Sequence, residues 1–254
     1  MIDWNLTYAA VFRRKNGSLR AVEDVDFVNI DELIGIDIQK EQLVNNTRNF
    51  IENNSANHAI LWGARGCGKS SLVKAVFTKF HNESLRLIEL RSDELEFIVD
   101  IIDEVRRTNY KFIIYCDDLS FEAGDTNYKF LKPILEGSIE KAPKNVLIYA
   151  TSNRRHLISE LKSDNEGTSV TSDEIHYAES VDEKISLSDR FGLWISFYQG
   201  SFTEYLKIVD FYFKDYTGDR QMLHELAKNY SALRASRSGR TAKQFYLSYK
   251  EKLL

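Results

Sequence analysis

Residues 63–70 read GARGCGKS and satisfy G-x-x-x-x-G-K-S/T at each fixed position. Each residue type in that pattern has a chemical reason. Glycines let the backbone turn tightly, so successive N–H groups point inward at phosphate oxygens. Lys69 places a point charge on β- and γ-phosphates, and the Ser70 hydroxyl suits a magnesium ion. A helix starting here adds its positive end. The candidate nucleotide contacts are Gly63, Ala64, Arg65, Gly66, Cys67, Gly68, Lys69, Ser70 and Ser71. At ordinary residue frequencies, chance gives such a match in roughly one chain in a hundred of this length.

A second set of groups follows an apolar run. Lys111–Cys116 reads KFIIYC and leads directly into Asp117 and Asp118. Strand-terminal acids are common solvated caps, but behind a phosphate loop they read as a Walker B pair. Asp117 then belongs to the magnesium shell, and Asp118 orients or deprotonates the attacking water. Glu122 is a fallback base. One complete strand, Leu85–Leu90, separates the two motifs, a spacing that points to the ATPase division of phosphate-loop proteins.

Three further groups are placed by position. Asn153 ends the fourth strand in ATSNRR, where an uncharged polar side chain reaches a γ-phosphate and its water; Thr151 stands behind it. Arg190, in SDRFG just before the fifth strand, reads as an arginine finger aimed at a neighbouring subunit's nucleotide or as a surface arginine paired with a local acid, the finger being favoured by its position. Arg240, ahead of Arg237, opens the last helix in SRSGRTAKQF and reads either as an arginine that folds back on the nucleotide or as a basic solvated helix start. Arg154, Arg155 and His156 form a small basic cluster, read either as solvated charge or as a nucleic-acid contact.

The elements that must hold these groups follow from the patterning. Five apolar runs of strand length, at 58–62, 85–90, 112–116, 146–150 and 193–197, are separated over the first four by helical patterns. That alternation makes βαβ units and a parallel sheet covered on both faces. Helices are expected after Asp37, over 71–80, after Ser92 with Leu95, Ile98, Val99, Ile102 and Val105 on one stripe, and over roughly 128–139. In the lead-in, Trp4, Tyr8, Val11 and Phe12 fall at helical spacing, and Asn16-Gly17-Ser18 marks a turn. Residues 167–183 are polar and acidic without periodicity and read as a surface insertion. From Ser201 the pattern is helical only, opened by a Ser201/Glu204 capping box. The division is therefore a lead-in at 1–30, a nucleotide-binding α/β domain at 31–198 and a helical lid at 199–254.

With 254 residues, 43% hydrophobic and 28% charged, the chain has material for one α/β domain and a small appendage. A net charge of −4 gives no bulk support for nucleic-acid binding. No basic-then-apolar start and no run of about 20 apolar residues occurs, so a cytoplasmic protein without a membrane span is expected. Cys67 and Cys116 both lie inside motifs rather than at disulfide-like positions.

The segments GARGCGKSS, FIIYCDDLSF, IYATSNRRHL, ISLSDRFGLW and SRSGRTAKQF, in this order, resemble the AAA+ ATPases, in particular a bacterial group of predicted ATP-binding proteins of unknown function. The resemblance covers residue 30 to the C-terminus. It implies a five-stranded parallel sheet in the order 5-1-4-3-2 with an α-helical lid, ATP and magnesium in the cleft between them, and nucleotide-dependent ring assembly. It also makes Ile34 and Gly35 adenine-site candidates, and Arg240 the second sensor. Two features depart from the family. Asp118 stands where Glu is usual, and Arg91-Ser-Asp-Glu-Leu carries no aromatic pore-loop motif. The expected activity is ATP hydrolysis that remodels or loads a partner macromolecule, protein or nucleic acid. The alternative is a nucleotide-gated binding module with little turnover; a small-molecule kinase is weaker, for want of any acceptor-site signal.

Overall fold

The computed structural model describes residues 2–53, 55–121, 126–137, 139–154 and 187–253. Glu122, Arg155, His156 and the 167–183 insertion lie outside the described residues.

The chain's strands are β1 (Ala9–Arg13), β2 (Ser18–Ala21), β3 (Ala59–Gly63), β4 (Leu85–Leu90), β5 (Lys111–Cys116), β6 (Val146–Ser152) and β7 (Leu193–Phe197). They form one sheet in the order β2-β1-β4-β5-β6-β3-β7. Among the described residues only the β1–β2 pair is antiparallel. The expected five-stranded sheet is thus corrected to seven, and the order differs because two lead-in strands extend the edge beyond β4.

That edge also overturns the helical reading of the lead-in. The residues buried in β1 are Ala9, Ala10 and Phe12, a strand pattern, and Val11 pairs with Glu89 of β4. Trp4, which suggested a helical stripe, instead packs edge-on to Phe112 at 4.9 Å. The Arg86 guanidinium pins this segment by donating to the Trp4 carbonyl at 2.9 Å while lying 4.1 Å from the Tyr110 ring centroid.

Helices cover both faces. The α1 (Asp37–Asn53) and α2 (Lys69–Phe80) helices pack on one, through Leu43, Phe50, Leu72, Val76 and Phe77. On the other lie a 3-10 segment (Ser92–Phe97), α3 (Ile98–Val105) and the short α4 (Lys132–Leu135). Strand alternation divides β5 accordingly: Phe112, Ile114 and Cys116 face α3, whereas Ile113 and Tyr115 face α2. Two helix expectations change. Val99 is exposed and Ile101 takes its buried place, because the 3-10 start shifts the phase of the stripe. The helix expected over 128–139 reduces to a 3-10 turn (Asn127–Phe130) and α4, with Pro133 at its start and Gly137 beyond its end at φ 87°.

The C-terminal helices are α5 (Phe202–Tyr212), α6 (Arg220–Leu233) and α7 (Gly239–Leu253). They bury a separate aromatic core containing Tyr205, Phe213, Tyr230 and Phe245. Ser201 and Glu204 form the expected capping box on α5, with Ser201 Oγ accepting from the Glu204 N–H at 3.2 Å. Among the described residues no helix is long and apolar enough to cross a membrane.

Candidate functional site

The phosphate loop joins β3 to α2, and its three glycines are required by geometry. Gly63, Gly66 and Gly68 have φ of 131°, 78° and 95°, in the region L side chains rarely adopt. A Cβ on Gly63 would lie 1.8 Å from the Phe197 carbonyl oxygen of β7. One on Gly66 would lie 2.8 Å from Ser238 Oγ and 3.3 Å from the Arg240 Cβ. The start of α7 therefore rests directly on the loop, and the Arg240 N–H faces the Gly66 carbonyl at 3.5 Å. Ser238 caps α7 by accepting from the Thr241 N–H at 3.2 Å, which holds this contact in place.

Lys69 is buried, and its ammonium is satisfied by the loop itself. Nζ donates to the carbonyls of Gly63 and Ala64 at 2.7 and 2.8 Å, and to Asn153 Oδ1 at 3.1 Å. Burial lowers its pKa, opposed by the charges of Cys67, Asp118 and Asp117. Asn153 uses its other end, Nδ2, to donate to Asp118 Oδ1. The amide orientation is thus set from both sides, since the lysine offers only donors and the carboxylate only acceptors. Lys69, Asn153 and Asp118 form one connected chain across the ends of β3, β6 and β5. Asp118 itself sits at φ 52°.

The second acid meets the loop separately. Ser70 Oγ donates to Asp117 Oδ1 at 2.9 Å. Tyr115 OH donates to the same oxygen at 2.6 Å, and Thr151 Oγ1 does so as well. The Thr151 hydroxyl in turn accepts the Asp118 N–H at 2.9 Å. Burial alone would raise the Asp117 pKa, but the Thr151, Tyr115 and Ser70 hydroxyls and the Asp118 N–H outweigh it and hold the carboxylate below its usual range. Burial beside that charge pushes the Tyr115 phenol well above its ordinary value.

The donor set fits magnesium. A hydroxyl and a carboxylate oxygen 2.9 Å apart are hard ligands, and magnesium usually takes one or two such groups plus phosphate oxygens rather than a full protein cage.

The remaining candidates are distributed unevenly. Arg65 and Ala64 are exposed on the loop, while Cys67 is half-buried with its thiol pKa raised by desolvation, against the pull of Lys69. Gly35 turns at φ 81° ahead of α1. It is Ile36, however, whose Cδ1 comes within 3.5 Å of a Cβ built on Gly68; Ile34 is half-buried. Arg237 turns away, its guanidinium 4.9 Å from the Phe202 ring centroid. Arg190 stands apart from the group: it pairs with Glu136 after α4 at 3.8 Å, and among the described residues no hydrogen bond or ion pair joins it to Lys69, Asp117, Asp118 or Asn153. Ile36, Tyr115 and Ser238 were not singled out in the sequence. For Tyr115 a signal existed: a hydroxyl two residues before Asp117 shares its face of the strand.

The sequence matches, over residues 5–253, the family described as "Protein of unknown function (DUF815)". No functionally curated protein matches it. Among solved structures, the RuvB Holliday junction branch migration motor of Thermotoga maritima is similar at 10% identity, covering 87% of this chain and 71% of that chain, with a TM-score of 0.49. A threonine-to-valine variant of Thermotoga maritima RuvB is similar at 11% identity, with 87% and 71% covered and a TM-score of 0.50. The architecture is an α/β fold resembling that of RuvB.

Proposed function

The chain belongs to this family, and from its site we propose that it binds ATP with magnesium and hydrolyses it, in the service of remodelling or loading a partner macromolecule. The observation that carries the reading is the connected set Lys69–Asn153–Asp118 beside the Ser70–Asp117 pair, all at the C-terminal edge of the sheet. A phosphate group on the loop N–H groups gives Lys69 a better partner than the two loop carbonyls it now serves. Ser70 and Asp117 would hold the cation, which when bound neutralises charge on the β- and γ-oxygens. Asp118 is placed to accept a proton from the attacking water, with Asn153 orienting that water or the γ-phosphate. Arg240 would approach the phosphates from the lid, Ile34 and Gly35 with Ile36 would line the base, and Arg190 would serve a neighbouring copy.

A second reading, a nucleotide-gated module with little turnover, is favoured by Asp118. Its side chain is one methylene shorter than glutamate, and its backbone is held in the left-handed region. In that case ATP changes partner affinity by binding one lid position better than the other. Equilibrium binding of ATP measured beside its turnover separates the two. The hydrolase reading expects binding with multiple turnovers, and an Asp118→Asn variant that binds ATP while hydrolysing it about 10²–10⁴-fold more slowly. Tight binding with wild-type turnover no faster than that variant would establish the second reading instead. For the partner, affinity for single- or double-stranded DNA that falls steeply with salt would identify nucleic acid; salt-independent or absent binding would leave a protein.

A further inference from the structure

We propose that Tyr115 is a positioning residue for the cation site, fixing the Asp117 carboxylate from inside the sheet. The inference rests on the magnesium-ATP reading and deepens it. Alternation along β5 puts Tyr115 and Asp117 on the face that carries α2, and alternation along β6 puts Thr151 there too, between Tyr149 and the strand end. The register sets Tyr115 opposite Tyr149, so the chain two residues on brings Asp117 level with Thr151. Three hydroxyls from three elements thereby converge on one atom: Ser70 from α2 at 2.9 Å, Tyr115 from β5 at 2.6 Å, and Thr151 from β6, all donating to Asp117 Oδ1. Oδ2 receives none of the three. A carboxylate gripped in this way cannot rotate about its Cβ–Cγ bond without losing all three bonds.

The Tyr115 hydroxyl is not explained by packing. Tyr115 is 1% exposed, in a buried layer it shares with Ile113, Leu61, Leu147 and Tyr149 among others, where phenylalanine would bury nearly the same area without a polar atom. A buried phenol costs stability unless it is hydrogen-bonded, and the acceptor found for it is Asp117. Ser70 is also a candidate ligand of the cation. Tyr115 and Thr151 are the two donors with no such second duty, so they are what holds Asp117 when Ser70 turns to the metal.

Groups bonded to metal ligands are typically worth 10–100-fold in metal affinity. The test is binding of a fluorescent ATP analogue to the full chain, measured in EDTA and then titrated with Mg2+. Tyr115→Phe is expected to raise the half-saturating Mg2+ concentration at least tenfold while leaving the EDTA affinity within about twofold. Thr151→Val carries the same expectation and serves where Tyr115→Phe does not fold, as judged by thermal melting. Thr151→Ser, which keeps the hydroxyl, should restore the wild-type Mg2+ response. An unchanged Mg2+ requirement in Tyr115→Phe, or an equal loss with and without the ion, would overturn the inference and leave the tyrosine as core packing. Wild-type protein that binds the analogue equally with and without Mg2+ would overturn the cation site itself, a failure visible before any variant is compared.

Discussion

Asn153 is the residue on which the two halves of the site depend, because its amide is the link between Lys69 and Asp118. Replacing it with alanine should cost turnover far more than binding. Removing one preorganised polar group at a reacting centre is worth about 10²–10³ in kcat, while the loop N–H groups proposed to hold the phosphates are untouched. Steady-state kinetics beside equilibrium ATP binding check this; equal losses in both would remove Asn153 from the water-orienting position. At this scale the sequence was legible where a motif fixes residue type, as at Lys69, Ser70 and Asp117. At Tyr115 the two-residue spacing to Asp117 was a weak signal, since a tyrosine in a strand is also what ordinary packing selects, and at Ile36 the sequence was silent, since an isoleucine before a helix is ordinary packing as well.

Among the elements, β3 is the most constrained, since both its ends make contacts that only particular residues allow. At its start, His58 Nδ1 accepts the Ile148 N–H of β6 at 3.0 Å, so the neutral ring carries its proton on Nε2. Burial pushes its pKa from 6.5 down to about 4. Between those values the unfolded chain binds a proton that folded His58 refuses. Stability is therefore fully present above the unfolded value and falls as pH drops through this window, by at most about 1.4 kcal/mol per pH unit from this residue. Melting curves from pH 7 to 4.5 should show a shallower decline for His58→Gln than for wild type; parallel declines would assign the slope elsewhere. At the other end, Gly63→Ala sets a Cβ against the β7 backbone at a φ of 131° and should cost roughly 3 kcal/mol or more, read as a lowered melting temperature or loss of soluble protein. Gly66→Ala meets the Ser238 side chain rather than backbone, so it should displace the lid and weaken ATP binding with a smaller loss of stability. Elements with strong periodicity, such as α2, β5 and the capped α5, were readable. The lead-in strands were not: β1 lies between β2 and β4, and its partners on β4 are 78 residues away in the chain (Ala9 against Leu87), a pairing that local patterning does not announce.

For the whole molecule, a seven-stranded sheet flanked by helices, with a separately cored set of C-terminal helices resting on the 63–70 loop, brings Lys69, Ser70, Asp117, Asp118 and Asn153 together and leaves Arg190 outside the group. Arg190 pairs with Glu136 across a partly exposed surface, a contact worth little in itself and so readily exchanged. If Arg190 serves a neighbouring copy, the mass in solution should increase with ATP and magnesium, and Arg190→Ala should slow turnover without lowering ATP affinity. A monomer under all conditions would confine Arg190 to its ion pair. The central claim is tested most directly by multiple-turnover phosphate release with ATP and Mg2+, wild type against Lys69→Ala. The account predicts sustained release by wild type and a loss of at least about 10²-fold in the variant. Release at the buffer rate by both would contradict it.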